Sequence, residues 1–227
     1  MAELIVALDL ASPSAALELV DRLGDVVRWY KIGPVLHVAD GPAVVRGLTD
    51  RGKSVFLDLK WHDIPHTVAG AVAAAADGGA AMATVHLAGG ALMLDAAVGA
   101  RRGRLRLAGV GVLTSLDAAQ FAAVVGRPIT DLALEQQRLV RLGMAAGLDG
   151  YVCAAAEARA LRALAGGCAA LVVPGVRRAT DATADQVRTA TPREAAAAGA
   201  DYVVVGRPIT RAADPAAEAR ALVEELR

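Results

Sequence analysis

The sequence predicts a single (β/α)8 barrel over residues 1–227, and three observations carry that expectation. Short apolar runs alternate with longer helical stretches along the whole chain, the pattern of parallel strands joined by crossover helices. Eight such units fit in 227 residues, the count that closes a barrel. The first run, LIVAL, leads into DLASPS and not into the glycine-rich turn expected of an open, doubly wound sheet.

In chain order, a strand is expected over Leu4–Leu8 and a helix over Ser14–Leu23, where Ser12-Pro13 reads as an N-cap followed by proline in the first turn. Strand Val26–Ile32 precedes helix Val35–Asp50, and strand Ser54–Leu59 precedes helix Val68–Ala76. Asp77-Gly78-Gly79 breaks that helix before strand Ala83–Leu87, and Gly89-Gly90 separates the strand from helix Ala91–Arg101. Strand Leu105–Leu113, helix Ile129–Ala146, strand Gly150–Cys153 and helix Glu157–Leu164 follow. The series closes with strand Ala169–Val173, helix Pro192–Ala198 capped by Thr191, strand Tyr202–Val205 and an amphipathic outer helix, Asp214–Leu226.

Composition narrows the function. Hydrophobic residues make up 55% of the chain and aromatics only 3%, so Ala, Val and Leu must build the core. Acids and bases balance at 24 each, which leaves no basic field for nucleic acid or an anionic membrane, and an anionic ligand must be held by a local site. Val68–Leu94 carries one charge, Asp77, but its glycine pairs cut it into pieces too short to span a bilayer. The N-terminus has no basic region and meets Glu3 and Asp9 early, unlike a signal peptide. Cys153 and Cys168 read as two buried thiols, and the expected compartment is the cytoplasm.

The polar residues collect at the carboxyl ends of the expected strands, the face that carries active sites in such barrels. Asp9 follows the first strand, Lys31 ends the second, and Asp58 and Lys60 end the third. His86 ends the fourth, Thr114-Ser115 follow the fifth, PGVR at Pro174–Arg177 follows the seventh, and Gly206-Arg207 follow the eighth. The densest cluster lies in VFLDLKWHDIPHTV, where Asp58, Lys60 and Asp63 fall within six residues. Strand alternation would turn Asp58 and Lys60 to one face, setting a carboxylate beside the ammonium. Gly206 permits close approach to a phosphate, Arg207 can grip its oxygens bidentately, and Gln186 can close over it from the same side. His62 and His66 are four apart, but Pro65 between them argues against a helical metal pair.

These blocks together resemble the orotidine 5′-phosphate decarboxylase family. The similarity rests on Asp58-Leu59-Lys60, Asp63-Ile64-Pro65 and Thr67, with IVALD at Ile5–Asp9, KIG at Lys31–Gly33 and VHLAGG at Val85–Gly90. It continues in order through VLTS at Val112–Ser115, PGVR, Asp185-Gln186 and VVGRPIT at Val204–Thr210. The resemblance implies cofactor-free conversion of orotidine 5′-monophosphate to UMP, with Lys60 as proton donor to C6 and Asp58 against the substrate carboxylate. It further implies a homodimer in which Asp63, Ile64 and Thr67 reach the neighbouring site. By the same resemblance, Asp9 and Lys31 would bind ribose hydroxyls and Thr114 the pyrimidine edge. Gln186, Gly206 and Arg207 would hold phosphate, and Arg177 would order the loop beside it. Three positions depart from the usual family residues: His66 for Asn, Val173 for Thr and Ala184 for Gly. Two alternatives stay open: a magnesium-dependent sugar-phosphate decarboxylase or synthase of the same superfamily, and a non-catalytic nucleotide-binding homologue.

Overall fold

Eight parallel strands form a closed barrel in sequence order in the computed structural model, which describes residues 2–178 and 190–227. They are β1 (Glu3–Ala7), β2 (Trp29–Ile32), β3 (Ser54–Trp61), β4 (Met82–His86), β5 (Arg106–Val110), β6 (Gly150–Val152), β7 (Ala170–Val173) and β8 (Tyr202–Val205). Closure is made by β8 against β1, in a register that sets Leu4 beside Val203 and Val6 beside Val205. The expected (β/α)8 barrel is therefore the observed fold.

Around it lie α1 (Pro13–Leu23), α2 (Pro34–Asp50), α3 (Pro65–Asp77), α4 (Gly90–Ala100), α5 (Ala118–Val125), α6 (Leu132–Ala146), α7 (Ala155–Ala165), α8 (Pro192–Ala197), α9 (Arg207–Thr210) and α10 (Pro215–Glu225). The caps read from the sequence form as expected. Ser12 Oγ accepts from Ala15 N at 3.3 Å, and Thr191 Oγ1 accepts from Glu194 N at 3.2 Å. No helix among the described residues is long and apolar enough to cross a membrane.

Strand alternation divides the apolar residues into two cores. Ile5, Ala7, Trp29, Phe56, Met82, Ala108, Val172, Tyr202 and Val204 fill the barrel, while their strand neighbours, such as Val6, Tyr30, Leu57 and Val203, pack outward against the helices. Arg106 stops the amino end of the barrel, its guanidinium 5.5 Å from the Trp29 ring centroid and 5.3 Å from that of Tyr202. The carboxyl end stays polar.

Several boundaries differ from expectation. The second strand begins only at Trp29, because Gly24–Val26 winds into a single 3-10 turn. The fifth strand stops at Val110, not Leu113. The helix α5 was not expected; its start is marked by a capping box between Asp117 and Gln120, and left-handed Gly126 ends it. The short α9 was also unforeseen. Cys153 is buried as expected, but Cys168 is exposed, since it follows Gly166-Gly167 before β7 begins.

Candidate active site

One step beyond the inner core, the inward-facing series continues from Ala7 to Asp9, from Trp29 to Lys31, from Phe56 to Asp58 and from Met82 to Thr84. These four residues and Lys60 form one connected cluster, in which charge alternates from Asp9 through Lys31 and Asp58 to Lys60 and Thr84 joins through its hydroxyl. Lys31 Nζ lies 2.8 Å from Asp9 Oδ1 and 3.8 Å from Asp58 Oδ2, and Lys60 Nζ lies 2.9 Å from Asp58 Oδ1. The Asp58 side chain is 16% exposed and that of Lys31 11%, so both charges are largely withdrawn from water, and each is paired.

Asp58 and Lys60 meet for a different reason than expected. The β3–β4 register pairs Leu57 with Ala83 but Trp61 with Val85, so two extra residues bulge from β3 in the stretch that holds both groups. Within the bulge Lys60 takes a left-handed backbone, φ 50°, the one non-glycine residue with positive φ among the described residues. Simple alternation is lost there, and the ammonium returns to Asp58 through the bulge.

Thr84, fully buried on β4, holds this conformation. Its hydroxyl accepts from Lys60 N at 2.8 Å and donates to Asp58 Oδ1 at 3.2 Å, bridging the strained backbone and the carboxylate. The sequence reading missed Thr84, although its position two residues before His86 put it on the inward face. Gly33 was likewise given no role of its own. A Cβ there would sit 2.9 Å from Asp9 Oδ1 and 3.2 Å from Lys31 Nζ, so only glycine leaves that ion pair undisturbed.

The remaining candidates surround this cluster. His86 Nδ1 accepts from Ala88 N at 3.2 Å, and its ring stacks on His62 with centroids 5.0 Å apart. Burial, then the neighbouring His62 and Lys60 charges, hold the His86 pKa below the ordinary histidine value. His86 is thus a hydrogen-bonded strand-end residue, as read from the sequence. Thr114 and Ser115 occupy the centre of a turn closed by Leu116 N to Leu113 O at 3.0 Å. Gly206 approaches the cluster from β8, where a Cβ would lie 4.0 Å from Asp9 Oδ2. Arg207 follows it at the start of α9. Arg177 N donates to Ala190 O at 3.0 Å, which brings together the chain on either side of residues 179–189. Its neighbour Arg178 bonds Glu225 at 2.9 Å and Glu218 at 3.2 Å on α10. Gln186, Ala184 and Asp185 lie outside the described residues.

Asp63 stands apart. Its carboxylate accepts from Ile64 N at 2.6 Å, and Asp63, Ile64, His66 and Thr67 are all exposed. No three His, Cys, Asp or Glu side chains converge as a metal site among the described residues. What the cluster can do chemically follows from its charges: it presents a fixed ammonium, backed by a carboxylate, to a ligand in the barrel mouth.

The model of the orotidine 5′-phosphate decarboxylase / HUMPS family matches residues 2–222. An orotidine 5′-phosphate decarboxylase of Anaeromyxobacter dehalogenans is 50% identical over 222 residues, spanning 97% of this chain and 96% of its own. The corresponding protein of Laribacter hongkongensis is 46% identical over 225 residues, spanning 98% and 92%. Among solved structures, orotidine 5′-phosphate decarboxylase from Lactobacillus acidophilus superposes with a TM-score of 0.87 at 32% identity, covering 100% of this chain and 99% of that one.

Proposed function

Because the chain belongs to the orotidine 5′-phosphate decarboxylase / HUMPS family, we propose that it converts orotidine 5′-monophosphate to UMP and carbon dioxide without a cofactor, as one barrel domain working in the cytoplasm. In this reaction the bond from C6 to the carboxylate breaks, its electron pair stays on C6, and the Lys60 ammonium supplies the proton that replaces carbon dioxide. The observation that carries the reading is the Lys60–Asp58 pair, 2.9 Å apart on a bulged strand end and held by Thr84. A carbanion at C6 lacks an ordinary electron sink, so stabilisation must come from a fixed nearby cation.

Asp58 then lies against the substrate carboxylate, Asp9 and Lys31 take ribose hydroxyls, and Thr114 meets the pyrimidine edge. Gly206, Arg207 and Gln186 hold the phosphate, with Arg177 ordering the loop beside them. Phosphate binding far from the reacting carbon supplies energy for closure over the substrate. Asp63, Ile64 and Thr67 serve the other subunit of a homodimer. Two features support that assignment. Asp63 joins no ion pair with the described residues of its own chain. Val35, Val38, Ile64 and Leu92 expose large apolar side chains in the segments that follow three consecutive strands, β2, β3 and β4.

The test is the absorbance change of orotidylate with purified protein in excess EDTA, beside Lys60→Ala. Metal-independent turnover that disappears in the variant, with UMP binding retained, is expected. Turnover of orotidylate that stops on chelation would refute the metal-independent reaction, and turnover of a keto-sugar phosphate with magnesium in place of orotidylate would support the sugar-phosphate chemistry of the superfamily. UMP binding without any turnover would point to a non-catalytic homologue.

A further inference from the structure

Four polar or charged residues are buried among the described residues: Lys31, Thr84, Gln136 and Glu157. Lys31 and Thr84 belong to the charged cluster. Gln136 lies on α6, fully buried, and its carboxamide reaches the carboxyl ends of β5 and β6. Oε1 accepts from Val112 N at 2.7 Å, and Nε2 donates to Val152 O at 3.1 Å.

These are backbone groups of two strands that are parting. The last β5–β6 pair is Val110 with Val152. Alternation from Ala108 would turn Val112 into the barrel, yet Val112 packs in the outer core with the helices. The chain therefore swings outward after Val110, and Gln136 fills the gap by bonding both edges. Gly111 makes room for it, since a Cβ there would stand 2.3 Å from Gln136 Oε1. Beyond Val112 comes the turn that carries Thr114 and Ser115.

We infer that Gln136 is a positioning residue for recognition of the base: it wedges β5 from β6 and fixes where the Thr114 turn stands over the barrel mouth. The inference rests on the proposed nucleotide site, where Thr114 meets the pyrimidine edge. Gln136 touches no substrate; it acts through the backbone of Val112. The amide suits the task because it offers one acceptor and one donor to two strand-end groups that would otherwise be buried unpaired.

A scaffold role and a base-positioning role differ in which ligands they affect. Calorimetric titration of the intact protein with UMP and with ribose 5-phosphate separates them, because the second ligand lacks the base. Gln136→Leu removes both hydrogen bonds, and Gly111→Ala displaces the carboxamide while leaving Gln136 in the chain, so one variant stands if the other fails to fold. In either, UMP affinity should fall about tenfold, the worth of one net hydrogen bond. Ribose 5-phosphate affinity should stay within about twofold of the unmodified protein, far less than one such bond would change it. Equal weakening of both ligands, or unchanged UMP affinity with only a loss of unfolding stability, overturns the inference. Failure of the unmodified protein to bind UMP would instead remove the nucleotide reading and the inference with it.

Discussion

Thr84→Val tests whether the strained Lys60 backbone matters to the chemistry. The substitution keeps shape and burial but deletes a hydroxyl that is 2.8 Å from Lys60 N and 3.2 Å from Asp58 Oδ1. A left-handed backbone in a residue with a Cβ costs about 1–2 kcal/mol, and at Lys60 the Thr84 hydroxyl offsets that cost. Leaving the Lys60 N–H unpaired costs about 1–3 kcal/mol, enough to shift the chain toward an ordinary extended conformation that withdraws the ammonium. Converted to rate, that is a loss in kcat of about 5- to 150-fold. KM should change little, because the residues proposed to bind ribose and phosphate do not touch Thr84. The assay is steady-state decarboxylation, with urea unfolding as a parallel measure of stability. Thr84→Ser should restore most of the rate. A kcat within about twofold of the parent, below the smallest change expected from one unpaired N–H, would refute the reasoning, as would a rise in KM alone.

Gly33→Ala introduces a Cβ 2.9 Å from Asp9 Oδ1, so the Asp9–Lys31 pair must shift; KM should rise about tenfold with kcat nearly unchanged, and steady-state kinetics will separate the two. The folded His86 pKa is depressed, so the unfolded chain takes up a proton first and stability is lost as pH falls below about 6.5, down to the folded value. Urea unfolding between about pH 7.5 and 5.5 should therefore show a shallower pH dependence in His86→Asn than in the parent; equal slopes would count against it. Lys60→Ala and Asp63→Asn should each be nearly inactive, but when mixed and refolded together they should recover about a quarter of parental activity, because half the dimers contain one intact site of two. No recovery would mean that Asp63 serves its own chain.

The barrel and the location of the charged cluster at its rim were legible for the same reason: both depend on local periodicity. Alternation along β1, β2 and β3 leads from Ile5 and Ala7 to Asp9, from Trp29 to Lys31 and from Phe56 to Asp58, so inward apolar residues give way to charges at one rim. What could not be read is pairing between distant residues. The β3 bulge depends on its register against β4, and the sequence does not show that Thr84 is the partner of Lys60 N. Gln136 looked like one polar residue in an otherwise ordinary helix, because its targets, Val112 N and Val152 O, lie on two other elements. The start of α5 is a different case. Its Asp117–Gln120 capping pair is spaced three residues apart in the sequence, yet no helix was expected between Leu113 and Ile129.

The cluster also bears on how Asp58 acts in the proposed reaction. A substrate carboxylate about 4 Å from Asp58 would be repelled by about 4 kcal/mol at an effective dielectric of about 20. Lys60 is bonded to that same aspartate, and Lys31 stands 3.8 Å from its other oxygen. A substrate carboxylate at similar distance from Lys60 gains about as much attraction as Asp58 imposes repulsion, so the pair contributes little net strain to the bound substrate. The balance changes when carbon dioxide departs. The charge then resides on C6, where the ammonium can approach and no carboxylate is left to face Asp58. Asp58 therefore contributes more by holding Lys60 in position than by repelling the substrate. On that basis Asp58→Asn should lower kcat through a misplaced ammonium and tighten substrate binding only slightly; a large gain in orotidylate affinity would show that repulsion dominates after all.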